Sequence, residues 1–208
     1  MHSDFDFDIT RRQALLAAAG SLAFAHRSAF AQGYPNKPPH LVVPFTPGGS
    51  SDVLGRAIAL ELGKAFNQPV VVDNVPGAGG SLGAEKVARS PADGYTLLMG
   101  HTGTLAVNPS LYPKLGYKPT TSFTPVAWVA RVPNVLVVHD SVPAKNLAEL
   151  LALAKAKPGQ LAYGSGGNGS AAHVTMEYLK LKTGTSFLHV PYRGTAPSVT
   201  DLLAGQVQ

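Results

Sequence analysis

The spacing of hydrophobic positions changes repeatedly along the chain, and each change marks an element. "HLVVPF", His40–Phe45, is a continuous apolar run bounded by turn residues, the pattern of a strand covered on both faces. Beyond the turn "TPGGSS", apolar residues at Val53, Leu54, Ala57, Ile58, Leu62, Ala65 and Phe66 share one helical face, with Ser50 or Ser51 placed to cap the N-terminus. "PVVVDN" reads as a second strand, and "VPGAGGSLGAEKVARSPADG" as a second glycine-rich turn entering a helix. A third strand, "YTLLMG", ends at His101-Thr102-Gly103-Thr104. A connection rich in Pro, Tyr and Lys, "NPSLYPKLGYKPTTSFTP", precedes two apolar runs, "VAWVARV" and "NVLVVHD". Asn146 with Glu149 three residues on has the form of a reciprocal cap for a helix through Lys155. "QLAYGSGGNGSAAHVTMEYLKLKTG" and "SFLHVPYRGTAPSVTDLLAGQ" then each read strand, loop and helix.

This rhythm predicts an α/β protein of two lobes, with parallel-type sheets flanked by helices, and the resemblance given below implies that the lobes are arranged as in periplasmic binding proteins. The expected boundaries are 32–125 for the first lobe and 126–208 for the second, with a crossover near Phe123–Val132. The closing "VQ" reads as the start of a strand with no room to pair, so the second lobe is expected to be incomplete and the fold C-terminally truncated.

Residues 1–31 carry a different pattern. Arg11 and Arg12 precede an apolar run from Ala14 to Ala25 and an A-x-A ending at Ala29-Phe30-Ala31, the order of features in a cleaved export signal. The paired arginines resemble a twin-arginine signal, with Ala14 where that motif usually has Phe. The run is well short of the roughly 20 residues a membrane span needs. Periplasmic localisation is the expectation.

Composition narrows the chemistry. Cysteine is absent, which removes both a disulfide framework and a thiolate nucleophile. Lys and Arg number 17 against 12 Asp and Glu, and this surplus is spread thinly, without the basic stripe and interleaved aromatics of a nucleic-acid surface.

The glycine loops admit three readings. Gly164–Gly169 matches G-x-G-x-x-G between strand and helix, but the acidic residue a dinucleotide site needs about 20 positions on is missing, since "SFLHVPYRG" carries no carboxylate. No turn ends in the G-K-[ST] of a P-loop. A serine hydrolase would use Ser165 in "YGSGG", or Ser50, with His101, His139, His173 or His189; none of these is marked by spacing, and no pair has metal-site spacing within one helix. The third reading is anion capture. Gly48, Gly49, Gly79, Gly80, Gly167 and Gly169 sit where strands pass into helices, and residues without Cβ let a carboxylate reach unpaired N–H groups at the positive end of a helix dipole. Asp52, in a first helical turn, either orders its loop or contacts an amine-bearing ligand. Ser170 reads as a helix cap, which leaves Ser165 and Asn168 as freer polar groups, and His173 either faces the crevice or packs.

Four ordered motifs, "YPNKPPHLVVPFTPGGSSDVLGR", "VVVDNVPGAGGSLGAEKVARSPADGYTLLMG", "AYGSGGNGSAAHVTMEYLK" and "HVPYRGTAPSVTDLLAGQV", resemble the Bug-type extracytoplasmic solute receptors, the binding proteins of tripartite tricarboxylate transporters. The resemblance runs from Tyr34 to the end. It implies an exported, monomeric receptor without catalytic step, cofactor or metal, which closes on a small carboxylate and delivers it to a membrane permease; such receptors are normally longer at the C-terminus. Carried over, it implies one wall made by Thr46, Gly48, Gly49, Ser50 and Asp52, by Gly77, Gly79, Gly80 and Ser81, and by His101, Thr102 and Thr104. The other wall would comprise Ser165, Gly167, Asn168, Gly169, Ser170, His173, Tyr192, Arg193 and Gly194. The rival reading is an exported serine hydrolase using Ser165.

Overall fold

A strand that is apolar on both faces must be paired on both edges and covered above and below. In the computed structural model, β1 (His40–Val43) meets that condition: it lies between β2 (Val71–Asn74) and β3 (Thr96–Leu98) in a parallel sheet, with His40 opposite both Val71 and Thr96. The structure describes Arg11 and residues 33–208, so the export signal expected over residues 1–31 lies, Arg11 apart, outside the described residues. Helix α1 (Ser50–Phe66) connects β1 to β2, and α2 (Ser81–Ala88) connects β2 to β3. Leu41, Val43, Ala59 and Met99 form the buried centre of this lobe, with Leu54, Ile58, Val70, Val72 and Leu97 against it. A π-helical turn, Gly103–Val107, leads into the short α3 (Asn108–Leu111).

The second lobe contains α4 (Leu147–Ala156), β4 (Ala162–Ser165), α5 (Ala171–Thr183), β5 (Leu188–Pro191) and α6 (Thr195–Leu203). β4 and β5 pair in parallel, Ala162 opposite Leu188. Their core gathers Leu150, Ala154, Leu161, Tyr163, Met176 and Phe187. In both sheets the strand C-termini feed helix N-termini, so loop chemistry collects at one end. Among the described residues, no helix is long and apolar enough to cross a membrane.

The caps follow the expectation in the second lobe and depart from it in the first. Asn146 Oδ1 accepts the Glu149 N–H at 3.0 Å while Glu149 Oε2 accepts the Lys145 N–H at 2.7 Å, one residue before the expected partner. Ser170 Oγ accepts the His173 N–H at 3.3 Å. Neither Ser50 nor Ser51 caps α1: the N-cap is Gly49, without a side-chain bond, and both serines lie inside the helix. The nearby Asp52 carboxylate already holds this turn by accepting the Gly48 N–H, so a hydroxyl cap is not needed.

Two further expectations change. "VQ" does pair: Gln208 donates its N–H to the Ala162 carbonyl at 3.1 Å and accepts the His139 N–H at 2.9 Å, because β4 has a free edge there. The apolar runs around the crossover form no ladder; residues 112–146 contain neither helix nor strand, and Trp128 is 78% exposed.

Close approach of helix to strand depends on glycine at one position in particular. A Cβ on Gly83 would lie 2.8 Å from Pro44 Cβ and 3.0 Å from the Val75 carbonyl oxygen. Alanine gains about 1 kcal/mol of helix propensity over glycine, while overpacking against backbone costs about 1–3 kcal/mol. Gly83→Ala is therefore expected to lower stability by about 1 kcal/mol in urea unfolding; a variant as stable as the parent would mean that the Pro44 loop yields freely.

Candidate ligand-binding site

Three helices begin at glycine N-caps that carry no side-chain cap: α2 at Gly80, whose turn lies against Asn108, and α1 and α6, which begin at Gly49 and Gly194. The fold turns the beginnings of α1 and α6 towards each other. A Cβ on Gly49 would stand 3.8 Å from Thr195, and one on Gly48 would stand 3.5 Å from Ala196. Between them lies a cavity of about 30 Å³ lined by Phe45, Gly49, Ser50, Ser51, His101, Gly166 and Thr195. That space is on the order of two water molecules. Among the described residues, nothing accepts the N–H groups of Ser50, Ser51 or Thr195. Unpaired first-turn N–H groups and the positive ends of two helix dipoles make this a positive, uncharged surface, the kind that receives anions.

Asp52 holds the first of these loops from beneath. Its side chain, 4% exposed, accepts from Gly48 N–H at 2.9 Å, Asn74 Nδ2 at 2.9 Å and Arg56 Nε at 3.0 Å. Asn74 Nδ2 also donates to the Phe45 carbonyl at 3.0 Å, which links the loop to β2. The Arg56 hydrogen bond, with help from Gly48 and Asn74 against the opposing effect of burial, brings the carboxyl down to about 2. Asp52 thus orders the loop and does not line the cavity. Thr46 lies beside it, its N–H donating to the Arg193 carbonyl at 3.4 Å across to the other lobe.

His101 faces the cavity on a ring held by its own turn. The Gly103 N–H donates to Nδ1 at 3.1 Å, Phe45 meets the ring edge-on at 5.0 Å, and burial lowers its pKa. Thr102 is exposed, whereas Thr104 is fully buried and donates its hydroxyl to the Gly79 carbonyl at 3.2 Å.

The second glycine turn lies outside the cavity lining and forms a contact between lobes. Asn108 is buried and donates through Nδ2 to Gly79 O at 3.0 Å and to Ser81 Oγ at 2.8 Å. Tyr117 donates to the Thr104 carbonyl at 2.6 Å. A Cβ on Gly79 would overlap the Asn168 carbonyl, and one on Gly169 would overlap Asn108 Oδ1. Tyr112 donates its hydroxyl to Asn168 O at 3.3 Å. Gly77 accepts the Gly80 N–H at 2.9 Å and closes the turn.

In the second lobe Ser165 Oγ lies 2.6 Å from His189 Nε2 and accepts the Gly167 N–H at 3.1 Å. This is the contact a serine nucleophile would make, but Ser165 is only 2% exposed, and the nearby carboxylate, Glu177, is held by Tyr163 at 2.7 Å and Lys180 at 2.8 Å. His189 is sandwiched between Tyr163 and His173, at 4.8 and 4.2 Å, and burial first, then the His173 charge, lowers it to about 4. His173 therefore packs, with Nδ1 accepting the Gly169 N–H at 3.1 Å. The Tyr192 hydroxyl is turned to Asp201 at 2.6 Å. Among the described residues no three His, Asp or Glu converge as a metal site would.

Sequence reasoning missed three residues: Phe45, Thr195 and the buried Asn108. Thr195 had a usable signal, since Gly194-Thr195 enters an apolar helical pattern as Gly49-Ser50 does. Asn108 had none, because its partners lie 27 and 29 residues away.

Two α/β lobes with strand C-termini facing a cavity between them make up a periplasmic-binding-protein-like fold. The chain belongs to the tripartite tricarboxylate transporter receptor family, matching the family described as "Tripartite tricarboxylate transporter family receptor" over residues 54–208. It is 44% identical to protein BugT of Bordetella pertussis over 178 residues, 85% of this chain and 55% of that protein. A solved R. palustris protein with adipate superposes with TM-score 0.82 at 43% identity, over 84% of this chain and 58% of that one. MatC from Rhodopseudomonas palustris with bound malate gives TM-score 0.79 at 36% identity, over 84% and 59%. The chain thus spans somewhat over half the length of the relatives it matches. Family and relatives are solute-binding receptors, not enzymes, which removes the Ser165 hydrolase reading.

A carboxyl depressed on folding contributes stability that is fully present above its unfolded value, about 3.9, and is lost as pH falls through the folded value of about 2. Asp52→Asn should accordingly be less stable at pH 7 by about 1–2 kcal/mol, with a flatter stability profile between pH 4 and 2 than the parent, as read by denaturant unfolding at each pH. Parallel profiles would remove Asp52 from this role.

Proposed function

We propose that this chain is an extracytoplasmic receptor that captures a small carboxylate between its two lobes, 32–125 and 126–208, and passes it to a membrane permease of the tripartite type. The observation that carries the reading is the pair of uncapped helix N-termini, α1 and α6, that face one cavity. The carboxylate would accept from the N–H groups of Ser50, Ser51 and Thr195, with Gly49 and Gly166 leaving room and His101 at the wall. Thr46, Gly48, Asp52 and Gly194 would support this contact, and Gly79, Asn168 and Gly169 would make the closed seam. At about 1.5–3 kcal/mol for each bond to a charged acceptor, four donors reach the roughly −8 kcal/mol of a micromolar ligand without any cationic side chain. The neighbours solved with adipate and with malate support an acid of this size. A cavity of about 30 Å³ is smaller than such an acid, so entry requires the lobes to part. The polar ties across are long, 3.4 Å from Thr46 to Arg193 and 3.3 Å from Tyr112 to Asn168, so parting them costs little. Ligand that touches both lobes then favours closure by its differential contact. Export to the periplasm and action as a monomer complete the proposal.

Proline at the first helical position keeps a helix and removes one N–H. Ser50→Pro and Thr195→Pro are each expected to weaken binding of adipate or malate by roughly 10- to 100-fold in calorimetry, while Ser50→Ala and Thr195→Val, which keep the N–H, bind within a few-fold of the parent. Equal effects of proline and of the side-chain variants would overturn main-chain recognition.

A further inference from the structure

One side chain in the cavity has its hydrogen-bonding direction set by the backbone. The Gly103 N–H meets His101 Nδ1 at 3.1 Å, and an amide can only donate, so Nδ1 carries the lone pair and the ring proton sits on Nε2. No acceptor among the described residues takes that Nε2–H. The edge of Phe45 at 5.0 Å restricts rotation of the ring, and His101 lines the cavity beside Ser50, Ser51 and Thr195.

We infer that His101 is a specificity-determining residue of this site, a neutral imidazole that presents Nε2–H as a fixed donor and so selects ligands bringing an oxygen acceptor, carboxylate or hydroxyl, over ligands bringing an ammonium group. The inference rests on the receptor reading and adds the polarity required at one wall. The main-chain N–H groups of Ser50, Ser51 and Thr195 are donors as well, and the lining residues bring hydroxyls but no carboxylate to receive an ammonium group.

The neutral state follows from the surroundings. Protonation of Nδ1 would set two donors face to face, and burial acts in the same direction. Phe45, Ser50, Ser51, Gly166 and Thr195, which line the cavity with it, carry no ionised group. Of the charged or titratable groups on the facing elements, Asp52 is engaged by Gly48, Arg56 and Asn74, the Tyr192 hydroxyl is on Asp201, and Arg193 is exposed and outside the cavity lining. On the β4–α5 side, His189 is bonded to Ser165, His173 to Gly169, and Glu177 to Tyr163 and Lys180. The ring therefore keeps this neutral donor form to lower pH than an ordinary imidazole does.

Asparagine and glutamine separate the two ring nitrogens. Asn reproduces the acceptor near Nδ1 and lacks the outer donor, while Gln places an amide N–H near Nε2. The full chain and its His101→Asn and His101→Gln variants are titrated calorimetrically with malate, adipate and aspartate at pH 8 and 6, and the imidazole of His101 is followed by 15N-edited NMR. The expected result is a neutral Nε2–H imidazole at both pH values and parent affinity for the acids that is flat with pH. Aspartate, which replaces the hydroxyl of malate by an ammonium group, should bind the parent at least tenfold more weakly than malate. His101→Gln should bind within about threefold of the parent and His101→Asn about 10- to 100-fold more weakly, with unchanged melting temperature for both. A cationic or Nδ1–H ring at pH 6, aspartate bound as tightly as malate, or an Asn variant equal to the parent overturns this inference and leaves the receptor reading standing. A parent that binds none of the acids overturns the receptor reading and this inference with it.

Discussion

The constraint on which the site depends is that a helix begins with N–H groups that have no partner inside the helix. Proteins ordinarily silence the first of these with a side chain, and this protein does so at two helices of its second lobe. Asn146 caps α4 and Ser170 caps α5. At α1 and α6 the N-cap is glycine and no side chain reaches back. Asp52 makes the difference at α1 possible, because it bonds to Gly48 N–H outside the helix, fixing the loop while leaving the Ser50 and Ser51 amides open. Stability of the turn and availability of the helix end are thereby supplied by different groups.

The same economy of bulk governs how the lobes meet. Gly79, Gly103 and Gly169 stand where any Cβ would strike a carbonyl or the Asn108 amide across the seam. Gly79 and Gly169 also have φ of 60° and 81°, a region other residues enter at a cost. These glycines therefore let main chain approach main chain, with Asn108, Ser81 and Tyr117 as the buried polar frame behind them. A glycine-rich turn can thus serve either a ligand or a partner loop. The two uses leave the same mark in sequence, which is why the turn at Gly77–Ser81 reads as cavity wall until its partners are seen.

Much of the fold was legible because its signals are local. Continuous apolar runs marked β1 and β2, helical spacing marked α1, and Asn146 with Glu149 marked the start of α4. The crossover was not legible in the same way: Val126, Trp128 and Val135 look like strand residues, but a strand needs a neighbour, and none pairs with them among the described residues. In the site, Gly49, Ser50 and His101 could be picked out because they follow strands directly. Thr195 and Gly166 could not be matched to them, since which loop faces which across the seam depends on packing of the two sheets and on no spacing in the chain. The cap expected of Ser50 or Ser51 failed for a related reason: a Ser at a helix start is ambiguous until the competing acceptor, here Asp52, is placed.

A buried carboxylate next to an anion site raises an apparent contradiction, since like charges would repel. Its surroundings resolve it. Asp52 is matched by Arg56 in an ion pair of 3.0 Å, and Arg56 remains more than half exposed on its other side, so the pair is close to neutral when viewed from the cavity. What the cavity presents is then the field of two helix N-termini together with hydroxyl and imidazole donors, none of which changes charge near neutral pH. A receptor built on an arginine clamp would hold any anion strongly through long-range attraction. One built on short, directional dipoles holds only an anion whose oxygens reach each N–H, because dipole fields fall off within the first helical turn. On the proposed reading, selectivity would come from shape and the placement of acceptors, and a single oriented ring such as His101 would carry more weight than the modest net charge of the protein.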